Sequence, residues 1–215
     1  MEESFISGKI VPRRVAESVW VYDVPAMNTP HFEENNPFTL LGLPARFDLA
    51  PEDVQRAYLT KAAQLHPDRF TDVVEQADAV RKSAAVNDAR KQLLNPETRA
   101  NILLKLMGGP GKSDDKTLPP DFLMEIMQIR EEMEEDAGSE EGRLRWQKWA
   151  DEQRNDYLER IGDLFAKAED GGLSADIAHS IRMELNALRY IERMIEQLDP
   201  DYDHQSELNR ADHRN

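Results

Sequence analysis

Apolar residues recur every three or four positions along much of this chain, which is the spacing of one face of an α-helix. The first clear case begins at Pro51, since proline is well suited to the first helical turn. Its apolar positions are Val54, Tyr58, Ala62 and Leu65. Because proline disfavours helical geometry in the residue before it, this helix should stop at His66-Pro67.

A second, longer helix is predicted from about Val74 to Leu94, after a loop that runs through Phe70. Along one side it carries Ala77, Val80, Ala84 and Asn87. Asn95-Pro96-Glu97 then combines a capping residue, a proline and an acid, which indicates a new helix start. That third helix should end at Gly108-Gly109.

The segment 108–117 reads Gly-Gly-Pro-Gly-Lys-Ser-Asp-Asp-Lys-Thr and is rich in turn-forming residues, which predicts a domain boundary. Beyond it we expect helices over roughly 119–136, 140–169 and 174–198, the last capped by Ser174. Since short breaks make neighbouring helices antiparallel, a three-helix bundle is predicted.

The predicted fold class is therefore all-α. The predicted organisation is an extension over 1–36, a helical domain over 37–109, a linker over 110–117, a three-helix domain over 118–200 and a polar tail over 201–215. Within the extension, Val19-Trp20-Val21-Tyr22 could form a short strand.

The helix over 119–136 carries more apolar surface than one core stripe needs. The stripe itself is formed at helical spacing by Phe122, Ile126, Ile129 and Met133. Outside it lie Leu123, Met124 and Met127. Either the helix packs between two neighbours and buries these residues, or they form a surface for a partner protein. The adaptable methionine side chain slightly favours the partner.

The last helix has one core seam. Its members are Ile177, Ile181, Leu188, Ile191, Ile195 and Leu198. Arg189 and Tyr190 point off that seam, where a tyrosine is as easily a packed surface residue as a contact.

Composition excludes several classes of function. A formal net charge of -15 opposes binding to nucleic acid or anionic membranes. No apolar run is long enough to span a membrane, and the start Met1-Glu2-Glu3 resembles neither a secretory signal nor a transit peptide, so we expect a cytoplasmic protein. The absence of cysteine excludes disulfides and thiolate chemistry. Five scattered histidines, without a phosphate loop or a nucleophile elbow, predict no metal, no cofactor and no enzyme.

The tripeptide His66-Pro67-Asp68 gains meaning from its place between two long helices. With its surroundings it resembles a J-domain. The matching stretches are Asn36 to Pro44, Tyr58 to Phe70, Asn87-Asp88-Ala89 and Leu94 to Ala100. The motif Phe-Thr-Leu-Leu-Gly-Leu-Pro is similar to the HscB type, the J-type co-chaperones of iron–sulfur cluster assembly.

This resemblance implies docking on a DnaK/HscA-type ATPase chaperone and stimulation of its hydrolysis, with the chemistry supplied by the partner. The implied contacts are His66, Pro67 and Asp68, with Arg56, Lys61 and Arg69 as basic neighbours. These basic residues are few, and steering could depend further on Arg81 and Lys82.

The resemblance continues in the C-terminal half, where 122–132 and 188–191 look like the HscB segments that bind the iron–sulfur cluster scaffold protein. The scaffold-binding residues implied position by position are Leu123, Met124, Met127, Glu131, Arg189 and Tyr190. The resemblance covers 37 to about 198 and leaves 1–36 unplaced. The alternative function is a general J-domain co-chaperone that delivers unfolded clients, and weak self-association stays open.

Overall fold

The computed structural model describes residues 36–66, 69–136 and 139–198, without the side chains of 195, 197 and 198, and the backbone of 13–16 and 19–21. Strands β1 (Arg13–Ala16) and β2 (Val19–Val21) pair antiparallel. The strand expected at Val19 to Val21 is thus present, and Tyr22 lies outside the described residues. Residues Met1–Asn36 and the chain from Pro37 onward are separate compact units.

From Pro37 on, the described chain is entirely helical, which confirms the predicted all-α class for this part. The helices are α1 (Pro37–Leu41), α2 (Pro51–Gln64), α3 (Val73–Leu94), α4 (Pro96–Leu106), α5 (Phe122–Asp136), α6 (Glu140–Gly171) and α7 (Ala175–Leu198). None of these helices is long and apolar enough to cross a membrane.

Short polar side chains fix several helix starts. The Asp72 carboxylate accepts from Val74 N at 2.8 Å at the start of α3. Asn95 Oδ1 accepts from Thr98 N at 2.8 Å and starts α4, as the Asn-Pro-Glu pattern predicted. Ser174 Oγ accepts from Ile177 N at 3.2 Å, so the predicted cap of α7 is confirmed.

The side of α3 that packs inward differs from the one that the sequence pattern suggested. Ala77 and Ala84 are exposed and Val80 is 56% exposed. The buried positions are Ala79, Val86, Ala89 and Leu93. Small apolar residues surround α3 almost evenly, so its sequence does not distinguish two possible inward faces and packing against α1 and α2 decides.

One continuous hydrophobic core joins the two predicted helical domains. The rings of Phe47, before α2, and Phe165, on α6, stack with centroids 5.4 Å apart. The Arg99 guanidinium of α4 lies 5.2 Å from the centroid of the Phe47 ring. The described residues from Pro37 onward therefore form a single compact unit, although the proposed boundary between the two domains stays a prediction.

The predicted linker is tied along its length to α7, and we call residues 110–117 the strap. Arg182 Nε donates to the Pro110 carbonyl at 3.1 Å. Asn186 Nδ2 donates to the carbonyls of Asp115 and Thr117 at 3.1 and 3.0 Å. The connection between the halves is thus held by hydrogen bonds from one face of α7.

Candidate functional site

The end of α2 presents His66, which is exposed, at the tip of the α2–α3 hairpin. Beyond the tip, Arg69 donates from its guanidinium to the Ala63 carbonyl at 3.3 Å. Gln76 Nε2 of α3 donates to the Phe70 carbonyl at 2.8 Å. These bonds hold both ends of the loop, while the predicted contacts Pro67 and Asp68 lie outside the described residues.

The two helices that carry this loop are joined lower down by a polar contact. Arg90 of α3 donates to Gln55 Oε1 of α2 at 3.1 Å, and its guanidinium lies 4.8 Å from the centroid of the Tyr58 ring. A planar cation over an aromatic ring adds attraction to the packing. The hairpin is therefore a fixed support for the loop.

Two of the predicted basic neighbours share a groove beside α2. Arg56 and Lys61 both line this groove, whose volume is about 500 Å³. Arg56 is exposed and pairs with Asp53 at 2.8 Å, so part of its charge is locally neutralised. Arg69 lies at the loop and does not line the groove. The structure thus brings two of the three cations together.

Exposed apolar residues at the start of α3 were not predicted as part of this surface. Val73 and Val74 are 76% and 72% exposed and follow the loop directly. The sequence held a signal, because two adjacent valines immediately after the capping Asp72 cannot both face the core of one helix.

The α5 helix separates its apolar residues into two faces. Phe122 and Ile126 are buried, at 3% and 6% exposure. Leu123, Met124 and Met127 are 52%, 69% and 65% exposed. We call these three residues the α5 patch. This structure therefore excludes the interpretation in which α5 packs between two neighbours and buries all three residues.

Tyr190 of α7 adjoins the α5 patch through Phe122. The two rings meet edge to face, with centroids 5.7 Å apart. Tyr190 is 40% exposed, so one side of its ring packs and the other faces outward. Tyr190 therefore extends the apolar surface from α5 onto α7.

The two charged residues predicted with this surface, Glu131 and Arg189, are both accessible to solvent. Glu131 is exposed one turn beyond Met127. Arg189 is partly exposed, and its guanidinium lies 3.8 Å from Glu97 Oε1. Four of the six predicted residues thus form one apolar surface, with a carboxylate and a guanidinium at its margins.

The helices beneath this surface are held together by paired charges. Arg154 of α6 donates to Glu192 of α7 at 2.6 Å, and Arg160 donates to Glu184 at 3.1 Å. The Arg160 guanidinium also lies 4.2 Å from the centroid of the Tyr157 ring. Burial raises the pKa of Tyr157, so its hydroxyl stays protonated at neutral pH. This arrangement fixes α7, and hence Tyr190, against α6.

Residues 118–199 match the family described as the HSCB C-terminal oligomerisation domain. This stretch contains all three helices α5, α6 and α7 and therefore the α5 patch and Tyr190.

Among curated relatives, the Co-chaperone protein HscB homolog of Bordetella petrii is 41% identical over 101 residues, 46% of this chain and 59% of that protein. The protein of the same name from Neisseria gonorrhoeae is 41% identical over 106 residues, 47% of this chain and 64% of that protein. The chain thus spans about three fifths of the length of these relatives.

Two solved structures are similar over a larger part of the chain. The human co-chaperone protein HscB matches with a TM-score of 0.64 and 26% identity, over 76% of this chain and 80% of that one. The chaperone HscB from Vibrio cholerae matches with a TM-score of 0.55 and 28% identity, over 76% of this chain and 99% of that one.

The chain is thus similar to HscB co-chaperones in local sequence, in the family match of residues 118–199 and in fold. This similarity agrees with the HscB-type resemblance that the sequence motifs predicted.

Proposed function

We propose that this protein stimulates the ATPase of a DnaK/HscA-type chaperone and delivers the iron–sulfur cluster scaffold protein to it, assisting maturation of iron–sulfur proteins. The observation that carries the proposal is the exposure of the α5 patch on a helix whose other apolar face is buried. Apolar residues exposed side by side, together with an adjoining tyrosine, are typical of a protein-binding surface.

The chaperone would dock at the tip of the α2–α3 hairpin. His66 is exposed there, Arg69 lies at the loop, and Arg56 and Lys61 supply positive charge in the groove beside α2. Asp68 would meet a basic group of the ATPase in a charge-assisted contact. We expect this docking to depend on short-range contacts, because the formal net charge of -15 opposes long-range steering toward an acidic chaperone.

The scaffold protein would dock on the α5 patch and Tyr190, with Glu131 and Arg189 pairing at the margin. Residues buried at the centre of such an interface contribute most of the binding energy, and charges at its edge contribute mainly specificity and association rate. The cytoplasmic setting expected from the sequence stays a prediction.

Steady-state ATP hydrolysis by a purified DnaK/HscA-type chaperone tests this function. The chain alone should raise the rate, and chain and scaffold protein together should raise it more than the sum of their separate effects. An unfolded polypeptide, added instead of the scaffold, should not replace it. If the unfolded polypeptide enhances hydrolysis equally well, the protein is a general J-domain co-chaperone. If the chain has no effect on hydrolysis, the proposal is wrong.

A further inference from the structure

A groove with a concentration of positive charge lies between the strap and α7, in a chain whose formal net charge is -15. Its volume is about 630 Å³. The cations that line it are Lys112, Lys116, Arg182, Arg189 and Arg193. No carboxylate is among the described residues that line it. We call it the cationic groove.

The sequence of α7 explains how these charges come to share one face. Arg182, Asn186, Arg189 and Arg193 follow the spacing i, i+4, i+7 and i+11, which is one stripe of a helix. Arg182 is 2% exposed and forms the floor, where it donates to Asn101 Oδ1 at 2.8 Å and to the Pro110 carbonyl. The hydrogen bonds from α7 to the strap then hold Lys112 and Lys116 opposite the stripe.

Nearby acids neutralise only part of this charge. Glu97 Oε1 accepts from Lys112 Nζ at 3.0 Å and lies 3.8 Å from Arg189, and its own side chain is only 17% exposed. Asp115 pairs with His179 at 2.7 Å, and Asp114 and Asp115 act together with Glu97 on the buried Arg182. Among the described residues, neither Lys116 nor Arg193 has an ion-pair partner. The groove therefore keeps an excess of positive charge at its exposed edge.

The cationic groove is continuous with the apolar surface of α5. Tyr190 and Leu118 line the groove, and Tyr190 contacts Phe122, the residue before Leu123. A protein seated on the α5 patch and Tyr190 would therefore reach the groove without a gap.

We propose that the cationic groove binds an acidic, extended segment of the scaffold protein, next to the apolar contact. This inference rests on the proposed function and adds the chemistry of the partner. From Arg182 to Arg193 the stripe rises about 16 Å along α7, which matches roughly five residues of an extended chain. A single phosphate would leave most of that length unused, and the chain's overall negative charge opposes a nucleic acid.

Association kinetics of the full chain with the scaffold protein, at low and high ionic strength, test the proposal. Lys116→Glu/Arg193→Glu reverses the two unpaired charges of the groove. Lys148→Glu/Lys167→Glu reverses two exposed lysines of α6 and changes the formal net charge equally. At low ionic strength the groove variant should associate about tenfold or more slowly than wild type, and the difference should shrink at high ionic strength. The matched variant should change little, and both should keep the melting temperature.

If the two variants associate with the scaffold at equal rates at each ionic strength, the cationic groove does not bind the scaffold. The proposed function would then still stand. A wild-type chain that does not bind the scaffold at all would overturn both. Inorganic phosphate gives the third comparison. If the groove variant loses binding of inorganic phosphate but associates with the scaffold like wild type, the groove is a small-anion site and the acidic segment is ruled out.

Discussion

Individual side chains decide between core and surface on α5 and α7, often one position apart. Phe122 is 3% exposed and its neighbour Leu123 is 52% exposed. On α7, Leu188 is fully buried, whereas Tyr190, two residues later, is 40% exposed. Such contrasts follow from helix geometry, because successive side chains point about 100° apart. They make it possible to separate binding from stability by point substitution.

Arg182 is the residue whose loss should cost most stability among the cations of the groove. Arg182→Met leaves Asn101 Oδ1 and the Pro110 carbonyl without their guanidinium donor. A buried acceptor left unpaired costs about 1–3 kcal/mol, so the free energy of unfolding should fall by about 2 kcal/mol or more. Urea denaturation measures this loss. Arg193→Met, at an exposed position of the same stripe, is the control and should be nearly neutral; equal losses in both variants would contradict the tethering role of Arg182.

Asp115, in the strap, makes the free energy of unfolding depend on pH. Burial alone would raise the pKa of Asp115, but hydrogen bonds from Thr117 and His179 outweigh it and hold that pKa below the usual range. A lowered pKa in the folded state stabilises the fold above the unfolded-state pKa, and this contribution disappears as the pH falls through the folded-state value. Unfolding free energies measured from neutral to acidic pH should therefore fall less steeply for Asp115→Asn than for wild type. Identical slopes of unfolding free energy against pH would mean that Asp115 contributes nothing to the pH dependence of stability.

At the scale of elements, the α2–α3 hairpin presents its loop and the strap ties the two helical halves. His66→Ala should abolish stimulation of the chaperone ATPase, because the imidazole lies at the exposed tip. The melting temperature should stay nearly unchanged, since substitutions of exposed residues are usually close to neutral. Lys148→Ala, exposed on α6, is the control and should stimulate like wild type. Full stimulation by His66→Ala would remove the basis for the J-domain interpretation.

The sequence predicts these elements well where a local signal is strong. The sequence marks helix starts by proline and by the capping residues Asn95 and Ser174, and the observed helices begin at these residues or directly after them. The inward face of α3 was mispredicted, because its alanines surround the helix and only packing selects a face. The strap was predicted as a plain linker, since its bonds to Arg182 and Asn186 join residues about seventy positions apart.

The candidate sites, too, could be predicted only where their residues share one local sequence pattern. The α5 patch could be predicted because core stripe and surplus residues lie on one helix and differ in periodicity. The cationic groove was missed, although the spacing of Arg182, Arg189 and Arg193 was visible in the sequence. Its other wall is the strap, and no local pattern indicates that Lys112 and Lys116 lie opposite α7.

For the whole molecule, the continuous core predicts that the two helical halves stabilise each other. Phe165 is 1% exposed and stacks on Phe47 of the other half. Phe165→Ala should cost about 3–5 kcal/mol, as for other large core truncations. Tryptophan fluorescence in a Trp20→Phe background, which reports on Trp146 and Trp149, and far-ultraviolet circular dichroism should show the same shifted transition. Separate transitions would show that the halves unfold independently, as expected if a fragment ending near Gly109 folds by itself.

The central claim is that the α5 patch is a docking surface for the scaffold protein, and calorimetric titration tests it most directly. Leu123→Ala/Met124→Ala/Met127→Ala should weaken binding by about 1–4 kcal/mol, roughly fivefold to nearly a thousandfold, at an almost unchanged melting temperature. Ile126→Ala, which is buried on the same helix, is the control and should lose stability first. A triple variant that binds the scaffold as tightly as wild type would contradict the account.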